Sequence, residues 1–384
     1  MMLSLPWNFA KFVLISCLAM TPLARAWAQD TVPLFNGKDL SGWVYVNTSD
    51  RTWHVEDGIL VCSGKPIGEI RTERMYQNFD LELEWRHMVP GGNAGVFVWA
   101  DDITARGVPF HRGIEVQVLE NAYGNDQSHT THGDIFPIHG ATMTPINGRG
   151  GSRAFPTENR AKPSPEWNHY RITCRDGNIS LAVNGKVVTQ GKDASPRKGY
   201  ICLESEGGVA HYRNIRITEH PETPIDPKDV AKTNRGYRSI YSGLDLSGWR
   251  AGEQAHKAWH VKDWVLQFDG SLSADDSRLE RDESLELSGF VVDFRFSNKS
   301  ESFSIQLPAS AEPLTIAAKE DQRFGSSLEK LGSWNRIEGS LKDGRLLLNI
   351  NGQSHEMPYT PKPGSLAFKA SGPLELANIY VRTK

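Results

Sequence analysis

Cysteine is scarce in this 384-residue chain: four residues in all, one of them, Cys17, in an N-terminal stretch that reads as a leader. The remaining three, Cys62, Cys174 and Cys202, are an odd number and cannot make a complete disulfide framework. A Cys174–Cys202 bridge stays open in an oxidising compartment, with buried strand thiols the favoured reading. No Cys-x-x-Cys or paired-histidine spacing points to zinc, so no metal ligands are expected, and no cofactor is assigned. Long apolar runs are missing as well. Residues 12–20, after Lys11, are too few to span a bilayer, and no membrane span is expected. Charge of one sign is also lacking: a net charge of −3, with no basic run among aromatics, argues against nucleic acid as a partner. No segment carries a long helical period.

The leader itself is informative. Lys11, the apolar run and the small-x-small sequence Ala26-Trp27-Ala28 before Gln29 make residues 1–28 a signal peptide. Export to a periplasmic or extracellular location follows. Leu14-Ile15-Ser16-Cys17 resembles a lipoprotein cleavage box, but it sits too close to Lys11, so lipid anchoring is the lesser alternative.

What is abundant is glycine (35), proline (21) and tryptophan (11), which suits a turn-rich β protein. Short β-rich runs recur, as in Gly95-Val96-Phe97-Val98-Trp99 and Ile114-Glu115-Val116-Gln117-Val118. Asp57-Gly58, Asp176-Gly177 and Asn184-Gly185 mark hairpin turns between such runs. The pattern predicts an all-β chain of sandwich or jelly-roll type.

The chain also repeats itself. Leu40-Ser41-Gly42-Trp43 returns as Leu246-Ser247-Gly248-Trp249, and Trp53-His54-Val55 as Trp259-His260-Val261. Trp167-Asn168 returns as Trp334-Asn335, and Asn184-Gly185 as Asn351-Gly352, at a shorter displacement. The repeat predicts a sandwich over residues 31–220, a Pro-rich linker over 221–234 and a shortened second copy over 235–384. What the copies share is scaffold; what only the first holds is where function is sought.

Several polar residues are confined to the first copy. Asp80, Glu82 and Glu84 share one face of an alternating strand; a solvated sheet face explains them equally well. Pro90-Gly91-Gly92-Asn93-Ala94-Gly95 is a glycine-rich turn that lets backbone approach a ligand. Glu115 and Gln117 alternate with apolar neighbours, a plausible acid–base station with a raised carboxyl pKa. The Glu115-to-Glu120 spacing resembles that of retaining glucanases, except that Gln117 replaces their aspartate, which argues against that chemistry. Residues 121–165 read as a long strand-poor loop holding His129, His132, Asp134, His139, Arg149 and Arg153. Glu204 and Glu206 have no acidic counterpart in the second copy.

In order along residues 33–218, these elements resemble the 3-keto-disaccharide hydrolase domain family. The match runs from Leu34-Phe35-Asn36-Gly37-Lys38-Asp39-Leu40-Ser41-Gly42-Trp43 through Gly91-Gly92-Asn93-Ala94-Gly95, Glu115-Val116-Gln117 and Trp167-Asn168 to Arg213-Asn214-Ile215-Arg216. The second copy looks like a degenerate member. The resemblance implies tandem concanavalin-A-like β-sandwiches (jelly rolls), the second shortened, and hydrolysis of glycosides oxidised at sugar carbon 3. The chemistry implied is removal of the C2 proton, elimination at C1 and rehydration. On this reading Glu115 is the base, Glu84 or Glu204 its partner, and Arg71 or His132 stabilises the oxyanion. Trp99 and Tyr123 stack on sugar, and Asn93, Gln117 and Glu206 complete the binding face. The implied substrate is an oligosaccharide or glycoside, supplied by a 3-dehydrogenase. A carbohydrate-binding lectin without turnover, or a retaining β-glucanase, are the alternatives.

Overall fold

The computed structural model describes Met1 and residues 30–123, 132–233, 235–308, 310, 312–319, 323–360 and 362–384. The expected signal peptide and His129 lie outside the described residues. Among these residues no helix is long and apolar enough to cross a membrane.

The first unit is built from β1 (Thr31–Pro33), β2 (Trp43–Val46), β3 (Trp53–Glu56), β4 (Ile59–Cys62), β5 (Gly68–Thr72) and β6 (Phe79–His87). It continues with β7 (Asn93–Ala100), β8 (Gly113–Leu119), β9 (Ile135–Ile138), β10 (Thr142–Pro145) and β11 (Asn168–Arg175). The last strands are β12 (Asn178–Val183), β13 (Lys186–Ser195), β14 (Tyr200–Ser205) and β15 (Ala210–Glu219). One sheet runs β10-β13-β12-β11-β6-β15-β4-β3 with β1 added on β15; the other runs β2-β5-β14-β7-β8-β9. Leu81, Leu83 and Trp85 from the first sheet and Val96, Val116 and Leu203 from the second meet in one core. The hairpin turns are of the primed type: Asp57 and Gly58, Asp176 and Gly177, and Asn184 and Gly185 all have positive φ.

The second unit repeats this order. Its larger sheet runs Trp259–Lys262, Val265–Phe268, Leu374–Thr383, Leu287–Phe296, Asn335–Lys342, Arg345–Ile350, Gln353–Pro358, the counterparts of β3, β4, β15, β6, β11, β12 and β13. Its smaller sheet matches β2, β5, β14, β7 and β8, with no counterpart of β9 among the described residues. The shared motifs turn out to be clamps. Trp43 and Trp249 donate their indole N–H to the carbonyls of Leu34 and Ile240. Asn184 donates to Asn168 at 3.0 Å, and Asn351 to Asn335 at 2.7 Å, tying each Asn-Gly turn to the neighbouring strand.

One expectation needs correcting. Residues 121–165 are not strand-poor throughout: β9 extends the site sheet beside β8, its pattern hidden by Pro137. The second copy does keep a counterpart of β8, Leu314–Ala317, but Thr315 and Ala317 take the outward places held by Glu115 and Gln117. The segment expected as a linker lies along the first unit, where Gln77 donates to the carbonyl of Thr223 and Ala231 to that of Lys198.

The second unit docks on residues 101–112, the connection from β7 to β8. Asp293, fully buried, accepts hydrogen bonds from Arg336, from Asn378 and from the backbone N–H of Gly107. Asn378 also donates to the carbonyls of Ala105 and Val108, and Arg336 to that of Thr104. Gly107 is required by space as well as by its positive φ: a Cβ there would sit 2.2 Å from Trp334. Asp293→Ala leaves Arg336 buried without a counter-charge, a change that costs about 3–5 kcal/mol. Urea denaturation should therefore show an earlier transition; an unchanged midpoint would contradict this view of the interface.

Candidate functional site

Strand alternation puts Ile114, Val116 and Val118 into the core and turns Glu115 and Gln117 to the outward face of the smaller sheet. Across the register, Gly95 lies opposite Gln117, Phe97 opposite Glu115, and Glu69 opposite Glu204. The face is nearly closed: Glu69, Glu115, Gln117 and Glu204 are all buried.

Gly95 is the floor of the site. A Cβ at this position would lie 2.8 Å from Glu204 Oε2 and 3.1 Å from Glu115 Oε1, so the two carboxyl groups converge above a bare backbone. Asn93 donates to Glu206, and Gln117 donates to Asn93 Oδ1 at 2.9 Å, which fixes the amides beside the acids. Glu204 Oε2 has no hydrogen-bond partner among the described residues.

Burial is the main reason these acids hold protons. It raises Glu115 well above the usual carboxylate range; Glu206 adds to the effect and Arg153 opposes it. Glu204 is raised by burial and then by Glu115, Glu206 and Glu69, with no cation among the main influences. Burial lifts Glu206 to about 7 against the hydrogen bond from Asn93. Arg153 comes from the long loop, donates to Asp134 at 2.9 Å and lies over the Phe136 ring, which neighbours Glu115 on β9.

Thus Glu115, Glu204, Glu206, Asn93 and Gln117 share one face, and four other expected site residues do not join them as foreseen. Glu84 is on the opposite sheet, paired with Arg213 at 2.7 Å and with Asn214. Its strand is the solvated ion-pair face, where Asp80 is bonded to Arg171 and Arg175. Trp99 is fully buried in the core: a bulge between β7 and β14 and a positive φ at Trp99 turn it inward, where its indole donates to the carbonyl of Gln77. His132 packs against Trp85 and Tyr170 in the interior; burial lowers its pKa to about 4 and leaves it a neutral ring bonded to Leu119 O. Arg71 shares the outward face, but its guanidinium is engaged by the carbonyls of Asp102 and Thr72 and by the Tyr200 ring. Tyr123 is half exposed on the loop after β8.

The glucanase alternative loses its second acid. Glu120 accepts backbone N–H bonds from Gly91, Ala122 and Ser164, and so serves to pin loops. The cysteines are free and buried, with Cys174 on one sheet and Cys202 on the other, so no bridge joins them. Arg153, Glu69 and His111 were not singled out as site residues from sequence. Arg153 stood among the loop cations with no register to tie it to Glu115; Glu69 and His111 lie in segments where nothing in the local pattern marks them.

The sequence profile of the 3-keto-alpha-glucoside-1,2-lyase-like domain family matches residues 30–218 and does not extend into the second unit. No curated protein matches the chain. Among solved structures, a protein proposed to be a glycosyl hydrolase, from Parabacteroides distasonis ATCC 8503, is 26% identical, covering 50% of this chain and 100% of its own, with a TM-score of 0.39. Carbohydrate-binding module CBM66 from Bacillus subtilis is 11% identical over 46% of this chain and 96% of its own, at a TM-score of 0.34. The β-glucanase of Bacillus licheniformis is 14% identical over 50% and 98%, at 0.33.

A carboxyl that holds its proton more tightly when folded stabilises the fold fully below its unfolded pKa and loses that contribution as pH rises to the folded value. For Glu206 this window runs from 4.5 to about 7. The melting temperature should fall across it, and Glu206→Gln should flatten part of that fall. Superposable curves for the two proteins would remove Glu206 from the buried acid set.

Proposed function

Residues 30–218 belong to the 3-keto-alpha-glucoside-1,2-lyase-like domain family, and from that premise we propose that the outward acid face cleaves glycosides oxidised at C3. The observation that carries the reading is the convergence of Glu115 and Glu204 over Gly95, with Arg153 on the side of Glu115.

The ketone at C3 acidifies the C2 proton, so a carboxylate suffices as base. Buried neighbouring acids cannot all ionise, and the one nearest a cation loses its proton first. Arg153 is a main influence on Glu115, whereas the main influences on Glu204 are burial and other acids. Glu115 is therefore the base that takes the C2 proton, and Glu204 the acid that protonates the departing oxygen on C1. Arg153 faces the enolate charge that develops at C3, the role expected of Arg71 or His132 from sequence. Asn93, Gln117 and Glu206 bind sugar hydroxyls, and Tyr123 at the exposed edge flanks the sugar. Elimination gives an unsaturated keto sugar, and addition of water to it completes net hydrolysis.

The substrate must arrive already oxidised, which requires a 3-dehydrogenase upstream. The N-terminal sequence supports export, so that the reaction takes place in the periplasm or outside the cell.

Purified protein should release free 3-keto-glucose or its unsaturated precursor from 3-keto-trehalose, and should leave trehalose untouched. Glu115→Gln should lower the rate by about a hundred- to ten-thousand-fold, the range of general acid–base catalysis, while retaining substrate binding. Deuterium at C2 should slow the wild type. A folded wild type that binds several 3-keto-glycosides and turns over none would sink the enzyme and leave the lectin reading.

A further inference from the structure

Beside the two catalytic candidates the same face holds a cluster that the reaction above does not use. Glu69 on β5, Cys202 on β14 and His111 at the end of the 101–112 connection are all fully buried. Their donor atoms lie within 4.8 Å of one another. His111 Nδ1 is hydrogen-bonded to Glu69 Oε2 and stands 3.6 Å from Cys202 Sγ. Glu69 Oε1 and His111 Nε2 have no hydrogen-bond partner among the described residues, and neither has Glu204 Oε2 across the strand pair from Glu69. Buried polar atoms left in this way call for a partner.

We propose that Glu69, His111 and Cys202 bind one divalent transition ion of the zinc–cobalt class. The donor set decides the class. Carboxylate oxygen, imidazole nitrogen and thiolate sulfur suit a borderline ion, whereas magnesium and calcium take oxygen ligands. The spacing agrees: zinc–nitrogen and zinc–sulfur bonds of about 2.05 and 2.3 Å at a tetrahedral angle set the two donors about 3.6 Å apart. On binding, the Cys202 thiol gives its proton to solvent, and the ion takes the place of the Glu69–His111 hydrogen bond. The ring binds the ion through Nδ1, and the proton of that hydrogen bond moves to Nε2 or to solvent. The ion also supplies positive charge to a face where Glu69, Glu115 and Glu204 are buried together. It ties the connection gripped by the second unit directly to β5 and β14. This inference stands apart from the sugar chemistry.

The test uses the full-length protein, stripped with a chelator and titrated with Co2+ alone. The expected result is a thiolate-to-cobalt charge-transfer band that saturates at one ion per chain and is bleached by Zn2+. Cys202→Ser should abolish the band, while Cys62→Ser and Cys174→Ser should keep it. His111→Ala and Glu69→Gln should each raise the Co2+ concentration at half-saturation by an order of magnitude or more, with circular dichroism reporting the fold. Should Cys202→Ser fail to fold, the Glu69→Gln and His111→Ala titrations decide. Folded wild type without a band, a band that survives Cys202→Ser, or unchanged half-saturation in both other variants overturns the proposal.

Discussion

Carboxyl groups gathered in a place with little water set the terms for the rest of this molecule. Glu115 and Glu204 are buried and stand on one face, with the Arg153 guanidinium offsetting part of the effect on Glu115. Such a face cannot hold full negative charge, because each added charge must be placed in a medium that screens it poorly. It must retain protons, take up a cation, or do both. Either outcome makes the acids chemically different from one another, although their local sequence environments are alike. Arg153 weighs on Glu115 more than on Glu204, and such an asymmetry is what the proposed acid–base pair requires.

The scaffold around this face is rigid for reasons independent of it. Two paired asparagines in each unit hold the Asn-Gly turn against the adjacent strand, and a tryptophan in each closes the opening turn. Where the first unit places Glu115 and Gln117 on β8, the second places Thr315 and Ala317 on a strand of the same order. The second unit also grips residues 101–112 of the first through Asp293, Arg336 and Asn378, whose side chains satisfy four backbone groups of that connection. An irregular segment covered on both sides needs such partners, since its buried backbone groups have no ladder to join. The second unit thus supplies hydrogen bonds that a free-standing first unit would have to find in water.

Much of this was legible in the sequence because it depends on short-range rules. Strand alternation placed Glu115 and Gln117 outward and their neighbours in the core. Asp-Gly and Asn-Gly dipeptides marked turns that have positive φ at both central residues. The repeat set apart what only the first unit holds, and Glu204, grouped with Glu115 on that ground, converges with it over Gly95. Sequence reasoning failed where a local pattern was overridden. Trp99 follows the alternation of β7 up to the bulge, and the bulge then sends it inward. Glu84 obeys alternation too, but periodicity within one strand cannot say to which of two sheets the strand belongs. His132 looked like a loop histidine and is an interior ring, because the loop folds back over Trp85.

The hardest features to read were those assembled from distant segments. Glu69 and Cys202 become neighbours only once β5 pairs with β14, in a register that joins the beginning of the domain to its end. His111 lies on residues 101–112, the connection held by a unit encoded more than a hundred residues later. No spacing in the sequence announces such a trio, which is why motifs made for contiguous metal ligands pass over it. The same holds for Arg153: its effect on Glu115 depends on β9 joining the sheet and presenting Phe136 as a platform for the guanidinium. The chemistry of the face therefore belongs to the topology more than to any local stretch of chain.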